Sequence, residues 1–157
     1  MNVNFEKLLK KGIADFRIME QKQEILLNPK NKVDKSLINL DIHLANLIDN
    51  SKRCSLKIVK NIDKDDYNKK LNYEFLKCLN AYFLLANLKN WNDVIISGNE
   101  YLVKVKQLNA DQEISKTYLI LKKTLYNAFF NHSKDDFNRS WKVFLKLCFV
   151  DLNLTLD

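Results

Sequence analysis

The sequence has very little of the material from which tight turns and hairpins are made. Its 157 residues include two glycines and one proline, and these residue types supply most of the turns that join β-strands. Leucine, lysine and other residues that favour helices are plentiful by contrast. The composition therefore predicts an all-α protein.

Cysteine and long apolar runs are scarce as well. Cys54, Cys78 and Cys148 are odd in number, far apart and set among apolar residues, which is typical of reduced core cysteines in an intracellular protein. No stretch approaches the ~18 apolar residues that a membrane span needs. Charges interrupt every apolar pair of the opening MNVNFEKLLKKG, which argues against a signal peptide or an anchor. We expect a cytoplasmic or nuclear location.

Arginine is rare although the chain is basic. The 26 basic and 19 acidic residues give a formal charge of +7, but only Arg17, Arg53 and Arg139 are arginine. A positive charge suits an acidic partner, nucleic acid or a membrane surface. However, lysine, asparagine and isoleucine are the residues that AT-rich codons encode, and recognition of phosphates and bases prefers arginine. Nucleic-acid binding is therefore only the third hypothesis.

Residue patterns that carry catalysis or bind metal ions are missing. His43 and His132 are far apart and neither stands in an H-x-x-x-H setting, whereas a zinc site needs more ligands than these. No Ser, Thr or Cys has a neighbouring His with an orienting acid, and two isolated glycines cannot form a phosphate-binding loop. We expect no catalytic residues, no metal and no cofactor.

Apolar residues recur at helical spacing along the chain. The first pattern predicts an amphipathic helix from about residue 4 to residue 27, where the segment NPKNK around Pro29 ends it. The second pattern predicts one long helix over residues 34–62. Asp49, Asn50 and Ser51 are poor interior residues, so a break at this point is the alternative.

Capping residues mark the starts of the later helices. Asp63 is expected to cap a third helix that ends near Leu88. Asn90 and Ser133 each have an aspartate three residues further on, which is close to the spacing of a capping box and predicts the starts of the fourth and sixth helices. Asp111 is expected to cap the fifth helix.

One helix–turn–helix unit occurs twice in the C-terminal half. The clearest repeats cover residues 73–107 and 111–150, with Trp91 and Phe137 in equivalent positions. Their separation is close to the ~40–47-residue period of some helical-pair repeats. Such repeats stack into solenoids that bind other proteins. We therefore predict a single domain over residues 1–157, an antiparallel helix-pair solenoid of six to seven helices.

Five residues of the segment LNAYFLLANLKNWNDVI have the types and spacing of a known helical repeat: Leu79, Asn80, Leu88, Lys89 and Trp91. In these residues the first repeat resembles the tetratricopeptide domains of immunophilin-type co-chaperones. The second repeat is similar to a later repeat of that family at Lys122, Ala128, Ser140 and Phe144. The resemblance implies a carboxylate clamp, in which lysine, asparagine and arginine side chains grip the acidic C-terminal tail of a heat-shock chaperone.

Only part of that clamp is present. Asn80 and Lys122 match clamp positions, whereas Leu9, Ile13 and Tyr126 replace the other three residues. Asn80 and Lys122 are therefore the candidate peptide-binding residues, and the alternative is that they are ordinary surface residues in an Asn- and Lys-rich chain. A tail of the Glu-Glu-Val-Asp type is expected to bind weakly or not at all.

The packing positions of the resembled repeats also differ in this chain. Tyr82 replaces a small residue and Gly98 replaces an aromatic one, which suggests that large and small side chains have been exchanged across one contact.

The function that we predict is a non-catalytic protein–protein interaction module, a tetratricopeptide-like adaptor or co-chaperone that binds a peptide or a partner helix on its concave face. The alternative is a helical structural subunit of a larger assembly. A basic nucleic-acid-binding protein is the third hypothesis.

Overall fold

Six α-helices make up most of the part of the chain that the structure describes. The computed structural model describes residues 3–22 and 31–156, and none of these residues lies in a β-strand. The helices are α1 (Phe5–Gln21), α2 (Lys32–Ser51), α3 (Lys64–Lys89), α4 (Asn92–Val105), α5 (Ser115–Phe130) and α6 (Lys134–Lys146), and a π-helical turn, Leu147–Asp151, continues α6. The all-α prediction is confirmed with six helices in this part of the chain, and the solenoid arrangement stays a prediction. No helix within the described ranges is long and apolar enough to cross a membrane.

The first helix is shorter than predicted. It begins after Asn4, whose side chain accepts a hydrogen bond from the Lys7 amide, and it ends at Gln21 instead of near residue 27. Ile25, Leu26 and Pro29, from which the later end was predicted, lie outside the described residues.

The second apolar pattern is divided between a helix and a loop. Helix α2 ends at Ser51, and Lys52 takes the left-handed conformation (φ 61°) that terminates many helices. The Ser51 hydroxyl donates to the Ile48 carbonyl, and the Tyr67 hydroxyl donates to the Ser51 carbonyl, so these carbonyls have partners at the helix end. The single helix predicted over 34–62 is therefore wrong, and the chain breaks at the alternative position.

Two of the four predicted caps are confirmed. The Asp63 carboxylate accepts hydrogen bonds from the first amides of α3, and the Ser133 hydroxyl accepts one from the Asp136 amide at the start of α6. The prediction for Asn90 is wrong because Asn90 ends α3 in the left-handed conformation (φ 59°), which asparagine tolerates. His132 makes a similar turn (φ 50°) between α5 and α6.

Asp111 is the other cap that was predicted wrongly, because its carboxylate binds Lys146 instead. The Lys146 Nζ atom lies 2.6 Å from Asp111 Oδ2 and 2.7 Å from Asp151 Oδ1, and the Asp151 side chain is fully buried. Burial alone would lower the pKa of Lys146, but its hydrogen bonds to the two carboxylates raise it. This cluster ties the α4–α5 loop to the end of α6.

The helices pack around an aromatic core. Helix α3 lies mainly along α2, α5 lies along α6, and α1 contacts α3 and α4. The Trp141 ring of α6 lies 5.2 Å, between centroids, from both Phe5 of α1 and Tyr82 of α3. The two predicted repeats therefore differ in packing, since α5 and α6 pair with each other whereas α3 pairs with α2.

Gly98 makes room for Trp141. A Cβ atom at Gly98 would lie 2.7 Å from Trp141 Nε1 and 3.1 Å from a Phe5 ring carbon. Tyr82 also contacts Trp141, and its hydroxyl forms a buried hydrogen bond of 2.6 Å with Ser140. Tyr82 and Gly98 thus both pack on Trp141. The sequence suggested instead that they exchange sizes across a single contact.

The three cysteines are free, as predicted. Cys78 and Cys148 are buried and Cys54 is half-buried. Burial raises the pKa of both the Cys78 and the Cys148 thiol. These two thiols are therefore protonated packing groups at neutral pH.

Candidate interaction site

A groove of about 280 Å³ lies between α1, α2 and α3. Helix α1 contributes Ile13, Phe16 and Met19 to its lining, and α3 contributes Ala81 and Leu84. These side chains give the groove an apolar component that is open to solvent. Apolar grooves between helices are common binding sites for peptides and partner helices.

Polar side chains line the same groove: Asp15, Asn39, His43, Lys77 and Asn80. The His43 side chain already has a partner within the protein, because its Nδ1 atom lies 2.7 Å from Oε2 of the largely buried Glu74. The Lys77 ammonium lies over the Tyr73 ring at 5.3 Å and forms no ion pair within the described ranges. Lys77 is therefore the cation that the groove offers to a ligand.

Asn80 is exposed and lines this groove. Helix α1 comes close to it at Gly12, where a Cβ atom would lie 3.2 Å from Asn80 Oδ1. The Asn80 amide makes no side-chain hydrogen bond to the part of the chain that the structure describes. Its donor and acceptor are available to a ligand.

Lys122 lies elsewhere and already has a partner. Its ammonium forms an ion pair with Asp41 of α2 and lies 5.9 Å from the Tyr118 ring and 5.2 Å from the Tyr126 ring. Burial lowers the pKa of Lys122. The observed role of Lys122 is to connect α5 to α2.

The structure does not bring Asn80 and Lys122 together. Asn39 and His43 of α2 line the groove with Asn80, whereas Asp41 is two residues from each of them and therefore about 200° away around the helix. Asn80 and Lys122 thus lie on different sides of α2. The role in peptide binding that was predicted for both residues stays a prediction. Asn80 lies in the groove, and Lys122 lies at the contact between α2 and α5.

Sequence reasoning missed several residues of the groove. Ile13 was noted only as a departure from the resembled clamp, and Phe16, Lys77 and Leu84 were not proposed as site residues. The position of α1 against α3, which creates the groove, is not encoded in any local pattern. The sequence contained one signal that could have identified Lys77. It lies three residues before the candidate Asn80, and residues three apart share a face of a helix.

The chemistry available in this groove is recognition by apolar contact, by the Lys77 ammonium, by the amides of Asn39 and Asn80 and by the Asp15 carboxylate. Among the described residues, no cluster of His, Cys, Asp and Glu side chains could hold a metal ion.

Comparison with known proteins found no protein-family model, curated protein or solved structure that matches this chain. What the structure itself defines is an all-α protein with an open interhelical groove. The tetratricopeptide resemblance rests on the quoted residues alone and stays a prediction.

Proposed function

We propose that this protein is a non-catalytic protein–protein interaction module that binds a peptide segment of a partner in the groove between α1, α2 and α3. The observation that carries the proposal is the combination of an open apolar lining with Lys77 and Asn80, both without an ion pair or side-chain hydrogen bond within the described ranges. A peptide with an apolar side chain and a carboxylate a few residues away fits both components.

The expected affinity is modest. A hydrogen bond to a charged group contributes roughly 1.5 to 3 kcal/mol, and burial of one large apolar side chain adds roughly 1.5 to 3 kcal/mol. Ordering the peptide and its loss of translational freedom oppose these gains. Even the upper sum of these gains, before the costs, corresponds to a dissociation constant on the order of tens of micromolar, so weaker binding than that is expected.

The finer proposal is a tetratricopeptide-like adaptor or co-chaperone. The resemblance at Asn80 and Lys122 supports it, and the position of Asn80 in the groove is compatible with it. Lys122 would have to exchange Asp41 for the carboxylate of the ligand. This requirement adds a reason to expect weak or no binding of a chaperone tail that ends in Glu-Glu-Val-Asp.

Selection from a displayed peptide library, counter-selected on Lys77→Glu, tests the groove. We expect the enriched peptides to combine an apolar residue with an acidic one, and to bind Lys77→Glu at least about tenfold more weakly than the wild type, because the substitution places a carboxylate opposite their own. Fluorescence anisotropy with the labelled peptides gives the dissociation constants.

Lys123→Glu is the matched control, since it makes the same charge change at an exposed position on α5. It should leave the peptide affinity unchanged, and so should Lys122→Ala. A labelled peptide ending in Glu-Glu-Val-Asp serves as a second probe. The groove proposal fails if no peptide is enriched, or if Lys77→Glu and Lys123→Glu weaken binding equally.

A second candidate, a structural subunit of a larger assembly, is favoured by exposed apolar side chains on α2 and α5. Ile38 and Ile42 are more than half exposed, and Leu119 and Phe130 are 62% and 71% exposed. Exposed apolar residues of this size are typical of surfaces that other subunits cover. This candidate predicts that the lone chain associates as its concentration rises and that Leu119→Ser/Phe130→Ser reduces the association. Light scattering that shows a stable monomer supports the first proposal instead.

A further inference from the structure

The loop between α2 and α3 presents apolar side chains to solvent. Every residue from 55 to 66 is exposed. Leu56 is fully exposed and Ile58 is 87% exposed, although both are large aliphatic residues. Single exposed apolar residues are common, but two of them close together near the middle of one loop form a feature that the packing of the domain does not use.

The base of this loop is fixed to the domain. Cys54 packs against the core, and its Sγ atom accepts a hydrogen bond from the Ser115 hydroxyl at 3.4 Å. The Arg53 guanidinium donates to the Asp111 carbonyl at 3.4 Å, and Asp63 caps α3 at the other end. The exposed residues therefore project from an anchored base.

The loop is also strongly basic. Residues 52–63 contain four basic residues and one acidic one, Asp63, at the start of α3. Lys52, Lys57 and Lys60 form no ion pair within the ranges that the structure describes. Lysines thus stand before, between and after the exposed aliphatic residues, and this arrangement differs from the mixed charges along the helices.

A cavity of about 330 Å³ adjoins the loop. Lys60 and Ile62 of the loop line it together with Lys52 and with Asp66 and Lys70 of α3. Asp66 is paired with Lys70 at 3.0 Å, and the carboxylate of Asp63, which also lines the cavity, accepts hydrogen bonds from α3 amides. The three lysines and two carboxylates of the lining give the cavity a net charge of +1. Lys52 and Lys60 form no ion pair within the described ranges, so they are the cations that a phosphate group could meet there.

We propose that this loop docks the protein on the surface of an anionic membrane, with Leu56 and Ile58 inserted at the level of the headgroups and Lys52, Lys57 and Lys60 against lipid phosphates. Apolar side chains gain by leaving water at the interface, and the flexible lysine stems let the ammonium groups remain beside the phosphates. Lysine acts here as a point charge, which an anionic surface attracts without bidentate geometry.

The competing occupant is an acidic segment of another protein. Pairing with such a segment as a β-strand is disfavoured because Asn61 takes the left-handed conformation (φ 57°), which a regular strand does not contain. Membrane insertion needs no regular backbone in the loop, only apolar side chains that reach the interface, and both residues with the highest exposure meet this requirement.

Flotation of the full chain with lipid vesicles tests the proposal. The wild type should bind vesicles of phosphatidylcholine with phosphatidylserine, bind little to phosphatidylcholine alone, and dissociate as salt is added. Leu56→Ser/Ile58→Ser should weaken binding at least about tenfold. Lys57→Gln/Lys60→Gln should weaken it about 25-fold, since each lysine near an anionic surface contributes roughly fivefold.

Ile38→Ser/Ile42→Ser is the matched control, because it removes two exposed isoleucines from α2 without touching the loop. It should bind vesicles like the wild type, and so should Lys77→Glu, which separates this inference from the groove. Circular dichroism verifies that each variant is folded. Failure to bind anionic vesicles at low salt overturns the proposal, as does unchanged binding by Leu56→Ser/Ile58→Ser. Binding to poly-glutamate but not to vesicles assigns the loop to an acidic protein and overturns it too.

Discussion

Replacement of Lys146 by methionine is expected to lower the free energy of unfolding by about 3–5 kcal/mol. The Asp151 side chain is fully buried, and its Oδ1 atom accepts hydrogen bonds from the Lys146 ammonium at 2.7 Å and from the Asp111 amide at 2.9 Å. Without the ammonium, a buried carboxylate keeps its charge with a single amide donor, or must be protonated. Urea denaturation followed by circular dichroism measures the loss.

Two further variants identify the cause of this loss. Asp151→Asn in the Lys146→Met background should restore most of the stability, since it removes the uncompensated charge and keeps an acceptor for the Asp111 amide. Lys134→Met breaks an exposed ion pair with Asp93 and should cost less than about 1 kcal/mol. Equal losses for Lys146→Met and Lys134→Met would show that burial of the pair is not what matters.

The sign of the pH dependence follows from the raised pKa of Lys146. A lysine whose pKa is higher in the folded state stabilises the fold fully below its unfolded pKa, and this contribution disappears as the pH rises through the folded value. The stability lost in Lys146→Met should therefore be constant through neutral pH. It should shrink in the alkaline range, above the ordinary value of 10.5.

Replacement of Gly98 by valine is expected to lower the free energy of unfolding by about 3 kcal/mol, because it overpacks the core. A Cβ atom alone would lie 2.7 Å from Trp141 Nε1 and 3.0 Å from Leu145 Cδ1, and valine adds two methyl groups to that contact. Trp141 is fully buried, so its ring has little room to move away from the added atoms. The same denaturation experiment measures the effect.

Gly12→Ala is the control for the loss of a helical glycine. Its Cβ atom would meet Asn80 Oδ1 at 3.2 Å and a Phe83 ring carbon at 3.3 Å, and the exposed Asn80 side chain can move. Removing glycine from a helix gains up to about 1 kcal/mol, so the net change should be within about 0.5 kcal/mol of zero. Stabilisation by both substitutions would mean that the contact of Gly98 with Trp141 is not tight.

Features fixed by neighbouring residues were predictable from the sequence. The all-helical class followed from the scarcity of glycine and proline. Asp63 and Ser133 were assigned correctly because a cap is a contact between a side chain and an amide two or three residues away.

Features that depend on distant partners were not predictable. The apolar period continues through Cys54, Ile58 and Ile62, so periodicity alone could not end α2 at Ser51, where the Tyr67 hydroxyl meets its carbonyl. Asp111 is of a residue type that often caps helices, yet its carboxylate pairs with Lys146, which lies far along the chain.

The candidate site also depends on contacts between residues that are distant in sequence. Asn80 and Lys122 were selected by their match to a family pattern, which says nothing about what surrounds each side chain. Asn80 lies in a groove whose other wall is α1, and Lys122 meets Asp41 of α2. Both facts depend on how α1 and α5 are placed beside the α2–α3 pair, which no local spacing encodes.

The turns at Lys52, Asn90 and His132 are left-handed without glycine, whereas both glycines of the chain lie inside helices. A residue with a Cβ atom costs roughly 1–2 kcal/mol in this conformation, and less when it is asparagine. The same Cβ atom restricts the backbone of the unfolded chain, so less conformational entropy is lost when the turn forms. The unfolded ensemble of this protein is therefore narrower than that of a chain with glycine at these three turns, and the backbone that follows α2, α3 and α5 has fewer alternative directions.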